Sequence, residues 1–148
     1  MATEDFAVTG LRELEKALLD LEPAVGVKVL RAAGREAMKP VLEAATQDAH
    51  EDTGDLKAAM AISATKGKGN TAVNINVGPT RTKATKKQGG RKFTHVNQKA
   101  IAQEFGTRKQ KADPFLVPAL QRNAERVLVT FGRSLGNRIE KAARKVKK

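Results

Sequence analysis

The chain has 148 residues, 40% hydrophobic and 30% charged, and carries a net charge of +12 from 28 basic and 16 acidic side chains. That length and balance describe one globular domain with a real core, and exclude a disordered chain. The absence of cysteine excludes disulfides, thiolate metal sites and cysteine nucleophiles, and two separated histidines, His50 and His95, offer no metal-ligand spacing.

The first predicted element is a helix over residues 11–21. Leu11, Leu14, Leu18 and Leu21 recur at three- and four-residue steps and make one apolar stripe. Thr9 is a credible N-cap. Pro23 suits the first turn of a second helix, expected over residues 22–49, with Val25, Val29, Ala33, Ala37, Val41, Ala44 and Ala45 along one side. Pro40 falls inside it, which predicts a kink near residues 36–39, with a full stop as the alternative.

Asp52-Thr53-Gly54-Asp55 has turn chemistry, because Asp and Thr bond nearby backbone amides and Gly54 adopts positive φ without strain. Two strands are expected next, over residues 56–65 and 71–77. The second alternates cleanly, with Val73, Ile75 and Val77 on one face and Asn74 and Asn76 on the other. Residues 66–70 read as the hairpin connection. Residues 80–92 are polar, basic and without hydrophobic period, which reads as a flexible loop. Order resumes over residues 93–105 as a strand or short helix. Residues 114–118 are expected to be extended, and a final helix starts near Pro118, with Leu120, Ala124, Val127, Leu128, Phe131, Leu135, Ile139 and Val146 at helical spacing. Gly132 and Gly136 weaken its second half, and residues 138–148 form a basic tail that either frays or orders on a partner. The predicted fold class is α+β: N-terminal helices, a small mostly antiparallel sheet with a long basic loop, and a long C-terminal helix.

Five Phe are the only aromatic residues, so the core is aliphatic. A thin aliphatic core gains from burying surface against neighbours, which favours assembly. No apolar run approaches the ~20 residues of a membrane span. The opening Met1-Ala2-Thr3-Glu4-Asp5 is acidic and lacks the hydrophobic segment of a signal peptide, so a cytoplasmic origin is expected. Charge is unevenly spread: residues 56–103 contain no Asp or Glu but ten Lys and Arg, which calls for a negative neighbour.

No motif defines an enzyme. Asp52-Thr53-Gly54 matches the aspartic protease triplet, but that chemistry needs two carboxylates on loops set in apolar strands, and the flanks here are polar. Gly67-Lys68-Gly69-Asn70-Thr71 lacks the phosphate-loop spacing and precedes a strand. His50 and His95 read as surface histidines, and no cofactor is expected. In Glu104-Phe105-Gly106-Thr107, Phe105 is expected to plug the core while Gly106 turns the chain and Glu104 caps or pairs across an interface. Phe115 and Leu116 follow as an apolar anchor. These residues serve either the monomer fold or an interface. The basic loop is a solvated surface, a DNA-facing loop or an arm on a neighbouring subunit. It lacks a recognition helix and stacking aromatics, so any DNA contact would be nonspecific.

The strings Gly10-Leu11-Arg12-Glu13-Leu14, Asp52-Thr53-Gly54-Asp55-Leu56, Glu104-Phe105-Gly106-Thr107 and Pro114-Phe115-Leu116-Val117-Pro118-Ala119-Leu120 occur in that order. Together they resemble the tail-component, or neck, family of long-tailed bacteriophages, across roughly residues 10–128. The resemblance implies one head–tail joining domain over residues 1–148, a structural virion protein without enzymatic activity. It implies a homo-oligomeric ring around the DNA channel, in contact with head-closure and tail proteins, assembled in the host cytoplasm and needed to join or complete the tail. The residues expected at partner interfaces are Asp52, Thr53, Gly54, Leu56, Glu104, Phe105, Gly106, Thr107, Phe115 and Leu116. Those expected to face channel DNA or a neighbour are Arg81, Lys83, Lys86, Lys87, Arg91 and Lys92. The alternative, from charge and size alone, is a nonspecific basic DNA-binding protein.

Overall fold

The computed structural model describes residues 10–51, 54–69, 72–80 and 93–146. Its elements are α1 (Leu11–Leu19), α2 (Pro23–Ala37), α3 (Lys39–Asp48), α4 (Asp55–Ala59), β1 (Met60–Lys66), β2 (Val73–Pro79), α5 (Phe93–Phe105) and α6 (Leu116–Val146). The fold is α+β, with a two-stranded antiparallel sheet and a long C-terminal helix. The described residues group into two compact units, one from within 10–37, 64–75 and 124–146, the other from within 38–63, 76–80 and 93–123.

In the first unit, α1 and α2 join the C-terminal part of α6. Val29, Ala33, Leu135 and Ile139 are the buried centre, with Leu14, Leu18, Leu21, Val25 and Phe131 packed around it. Leu14, Leu18 and Leu21 thus do what their spacing requires. The N-cap position of α1 is Gly10, at φ 90°, and it makes no side-chain cap bond; the expected cap, Thr9, lies outside the described residues. Gly136 does not end α6. A Cβ there would stand 3.5 Å from Leu14 Cδ2, an ordinary van der Waals contact on the face that meets α1.

The helix expected over residues 22–49 is interrupted at Met38, which follows α2 and occupies the N-cap position of α3. Pro40 then sits in the first turn of α3, where its missing N–H needs no intrahelical acceptor. Met38 keeps right-handed helical angles, φ −85° and ψ −3°, so the break is one residue long.

The second unit buries Val41, Ala45, Ala49, Leu56, Ala59, Met60, Val96, Ala100, Phe115 and Ala119. Residues 56–59, expected to start a strand, instead belong to the helical turn α4, which packs on α5. The reason is in the spacing: Leu56, Ala59 and Met60 are all buried at three- and four-residue steps, which a strand could not place on one face. Over the first five residues of β2, partly buried and exposed side chains alternate, as Val73, Ile75 and Val77 predict. Residues 93–105 resolve as a helix, and α6 begins two residues before Pro118.

Phe115 is fully buried, the largest such side chain in the unit. Phe115→Ala is expected to lower the unfolding free energy of the isolated protein by about 3–5 kcal/mol, since lost transfer energy and a residual cavity add. Urea denaturation of the purified variant checks this.

Candidate assembly site

Three of the strings meet within the second unit, and backbone geometry shows why two of them contain glycine. Gly54, at φ 75°, precedes α4, and its carbonyl accepts the Ala58 amide at 3.0 Å. Gly106, at φ 76°, follows α5. A Cβ on Gly106 would stand 2.8 Å from the Ala112 amide nitrogen, so both the angle and the space exclude a side chain. Thr107 closes the turn beyond: its amide donates to the Gln110 carbonyl at 2.8 Å, and its hydroxyl accepts the Gln110 amide at 3.1 Å.

Glu104 is buried, at 6% exposure. Its Oε2 accepts the amides of Phe115 and Leu116, each at 2.9 Å, and its Oε1 accepts that of Val117 at 3.1 Å. These are amides that the start of α6 cannot satisfy within its own helix. The next residue, Pro118, has no amide to satisfy. A side chain eleven to thirteen positions away in sequence therefore starts this helix, and starts it ahead of the proline. Burial alone raises the Glu104 pKa, but the bonds from Leu116, Phe115 and Val117 outweigh it and hold the pKa below the ordinary 4.5.

Phe105 corrects an expectation. It does not plug the core but is 74% exposed. Glu104 takes the inward position and Phe115 fills the core. Ile101, one turn earlier on α5, is 50% exposed, and Val117 and Leu120 on α6 are 50% and 45% exposed. The strings Glu104–Thr107 and Pro114–Leu120 thus bury a carboxylate and present large apolar side chains.

A polar cluster around these strings joins residues distant in sequence. Asp55, 2% exposed, holds the Lys99 ammonium at 3.0 and 3.1 Å through its two oxygens. Gln103, equally buried, accepts the His50 amide at 2.8 Å and donates to the Asp48 carbonyl at 3.0 Å. His50 Nε2 lies 2.7 Å from Asp113 Oδ2, and Asp48 pairs with Arg122. The helical spacing of Val96, Ala100 and Gln103 was the available signal, since it places Gln103 on the buried face of α5. A small pocket of about 210 Å³ opens between His50, Asp55, Lys99 and Gln110. Its carboxylate and ammonium are bonded to each other, which is the arrangement of a staple between α4 and α5.

Among the described residues no group of three His, Asp or Glu side chains is placed to hold a metal ion, and no helix is long and apolar enough to cross a membrane. Asp52, Thr53 and the six cations Arg81, Lys83, Lys86, Lys87, Arg91 and Lys92 lie outside the described residues. No family model, curated protein or solved structure matches the chain.

Because the Glu104 pKa is depressed in the folded state, its stabilising contribution is complete above the unfolded value near 4.5 and is lost as pH falls through the lower folded value. Glu104→Gln is expected to be less stable than the native protein by on the order of 1–3 kcal/mol at pH 7, because a charged acceptor of buried amides is lost. The gap should hold down to about pH 5 and narrow below it. Paired urea titrations from pH 7 to pH 3 check this; a constant gap would contradict it.

Proposed function

We propose that this chain is a structural protein of a tailed bacteriophage, built into the head–tail junction as part of a ring around the DNA channel and needed to join or complete the tail. The observation that carries the reading is Phe105. A chain with only five Phe leaves this one 74% exposed, within one of the strings on which the neck-family resemblance rests. Val117 and Leu120, exposed in another of those strings, add to it. Exposed large apolar side chains gathered in defined segments are what an assembly surface requires.

The rigidity beneath these side chains supports the same reading. Glu104 and Phe105 are neighbours on α5, and the Glu104 carboxylate is locked to the first amides of α6. A surface set on restrained helices docks without an added cost of ordering itself. The net charge of +12 opposes association of the free protein with itself and favours it once phosphate or acidic neighbours are present. Function on this reading is mechanical, with interlocking subunits and no covalent step.

Two measurements on Phe105→Asp test the proposal. The purified variant is expected to unfold within about 0.5 kcal/mol of the native protein, as an exposed substitution should. The virus carrying it is expected to accumulate DNA-filled heads and tails that remain unjoined or incomplete, visible by electron microscopy. Wild-type yields of complete particles from a virus lacking this protein altogether would overturn the proposal and favour a nonspecific DNA-binding role.

A further inference from the structure

We infer that the groove between α2 and the last turns of α6 is a docking site for an acidic amphipathic helix of another protein. The groove belongs to the first unit and has a volume of about 550 Å³, within the range of pockets that bury a substantial ligand. Val29 and Ala32 on α2 and Ala142 and Val146 on α6 form its apolar wall. It exists because two of these residues are alanines: where Ala32 and Ala142 stand, neither helix has a side chain long enough to close the gap. Val146 is 77% exposed, an apolar side chain with no cover at the edge of a furrow already lined by apolar carbon.

The rim identifies the occupant. Lys28 on α2 and Lys141 and Lys145 on α6 border the groove, and among the described residues none of the three has an ion-pair partner. Arg138, also on the border, is engaged instead: it donates to Glu36 at 3.1 Å and to Ser134 at 3.1 Å, and Ser134 donates to Glu36 at 2.6 Å. Among the described residues no acidic side chain lines the groove. A second furrow that also borders Lys28 carries Arg31 and Lys66 beside a single carboxylate, Glu22, so cations outnumber anions there as well. An apolar floor between lysines selects a ligand that is apolar on one face and anionic on its flanks. DNA has no apolar face to fill the floor, and a basic helix would be repelled. A helix with apolar residues at i, i+4 and i+7 and Glu or Asp on either side meets both requirements.

The test uses the full chain and three labelled synthetic peptides in fluorescence anisotropy titrations. One carries Leu at i, i+4 and i+7 with flanking Glu, the second has the same Leu stripe with flanking Lys, and the third keeps the Glu but scrambles the Leu. The first is expected to bind most tightly, the third at least about tenfold more weakly, and the second not measurably. Ala32→Phe, which fills the groove, and the triple variant Lys28→Glu, Lys141→Glu, Lys145→Glu are each expected to weaken the first peptide about tenfold or more. Val146→Asp, at an exposed position, repeats the test without touching the core, and circular dichroism checks that every variant folds.

Equal binding of the stripe and scrambled acidic peptides would overturn the inference, since charge alone would then suffice. So would unchanged affinity in the groove variants, or failure of all three peptides to bind. Vesicles of phosphatidylglycerol that displace the first peptide and bind the native protein, but not Val146→Asp, would overturn it in favour of an anionic lipid. A native dimer that Val146→Asp dissolves, detected by sedimentation, would overturn it in favour of a second copy of the chain.

Discussion

The second unit depends on one buried carboxylate. Glu104 gives up most of its hydration and accepts three amides at the start of α6 in return. A carboxylate is suited to this because two oxygens offer several lone pairs, and a full negative charge meets the positive end of the helix dipole. Two consequences follow from elementary helix geometry. Successive residues on α5 point about 100° apart, so turning Glu104 inward sends Phe105 out. Fixing the first amides of α6 also fixes Phe115, which fills the space that Phe105 does not. The polar core contact and the exposed apolar residue are thus a single structural choice.

The rest of the second unit reinforces that choice. Gly106 reverses the chain where no Cβ fits, the Asp113 amide donates back to the Gln103 carbonyl at 2.8 Å, and Gln103 binds the end of α3 through its side chain. The Asp55–Lys99 pair ties α4 to α5 beneath the same turn. Such a network, with buried donors and acceptors matched, holds a surface in one shape, as the proposed assembly role would require. The first unit has a different character. The centre of its core is aliphatic, Gly34 lies where a Cβ would stand 2.6 Å from Ile75, and small residues leave an apolar groove among lysines.

Where local periodicity decides structure, the sequence was legible. Leu14 and Leu18 of α1, the alternation in β2 and the stripe of Leu135 and Ile139 on α6 are each where spacing puts them. Legibility failed where a distant partner decides. Spacing alone places the start of α6 two residues late, because its cap, Glu104, lies on another helix. Hydrophobicity alone sends Phe105 to the core, whereas the orientation of α5 is set by its neighbour's hydrogen bonds. Residues 56–59 read as strand because a five-residue helix offers barely one turn of evidence, whereas Met60 does open β1. Of the candidate site, the glycines at 54 and 106 and the burial of Phe115 could be foreseen. The Gln103 contacts, the Asp55–Lys99 pair and the groove could not, since each joins residues far apart in sequence.

The central claim is that the apolar side chains exposed beside the Glu104 cap are covered by another protein in an assembled particle. Hydroxyl-radical footprinting read by mass spectrometry measures that cover directly, because it labels exposed Phe, Leu and Val side chains in solution. Phe105, Val117 and Leu120 should label readily in the free protein and be protected in the particle, while Phe115 stays unlabelled in both. Equal labelling of Phe105 in the two states would contradict the account.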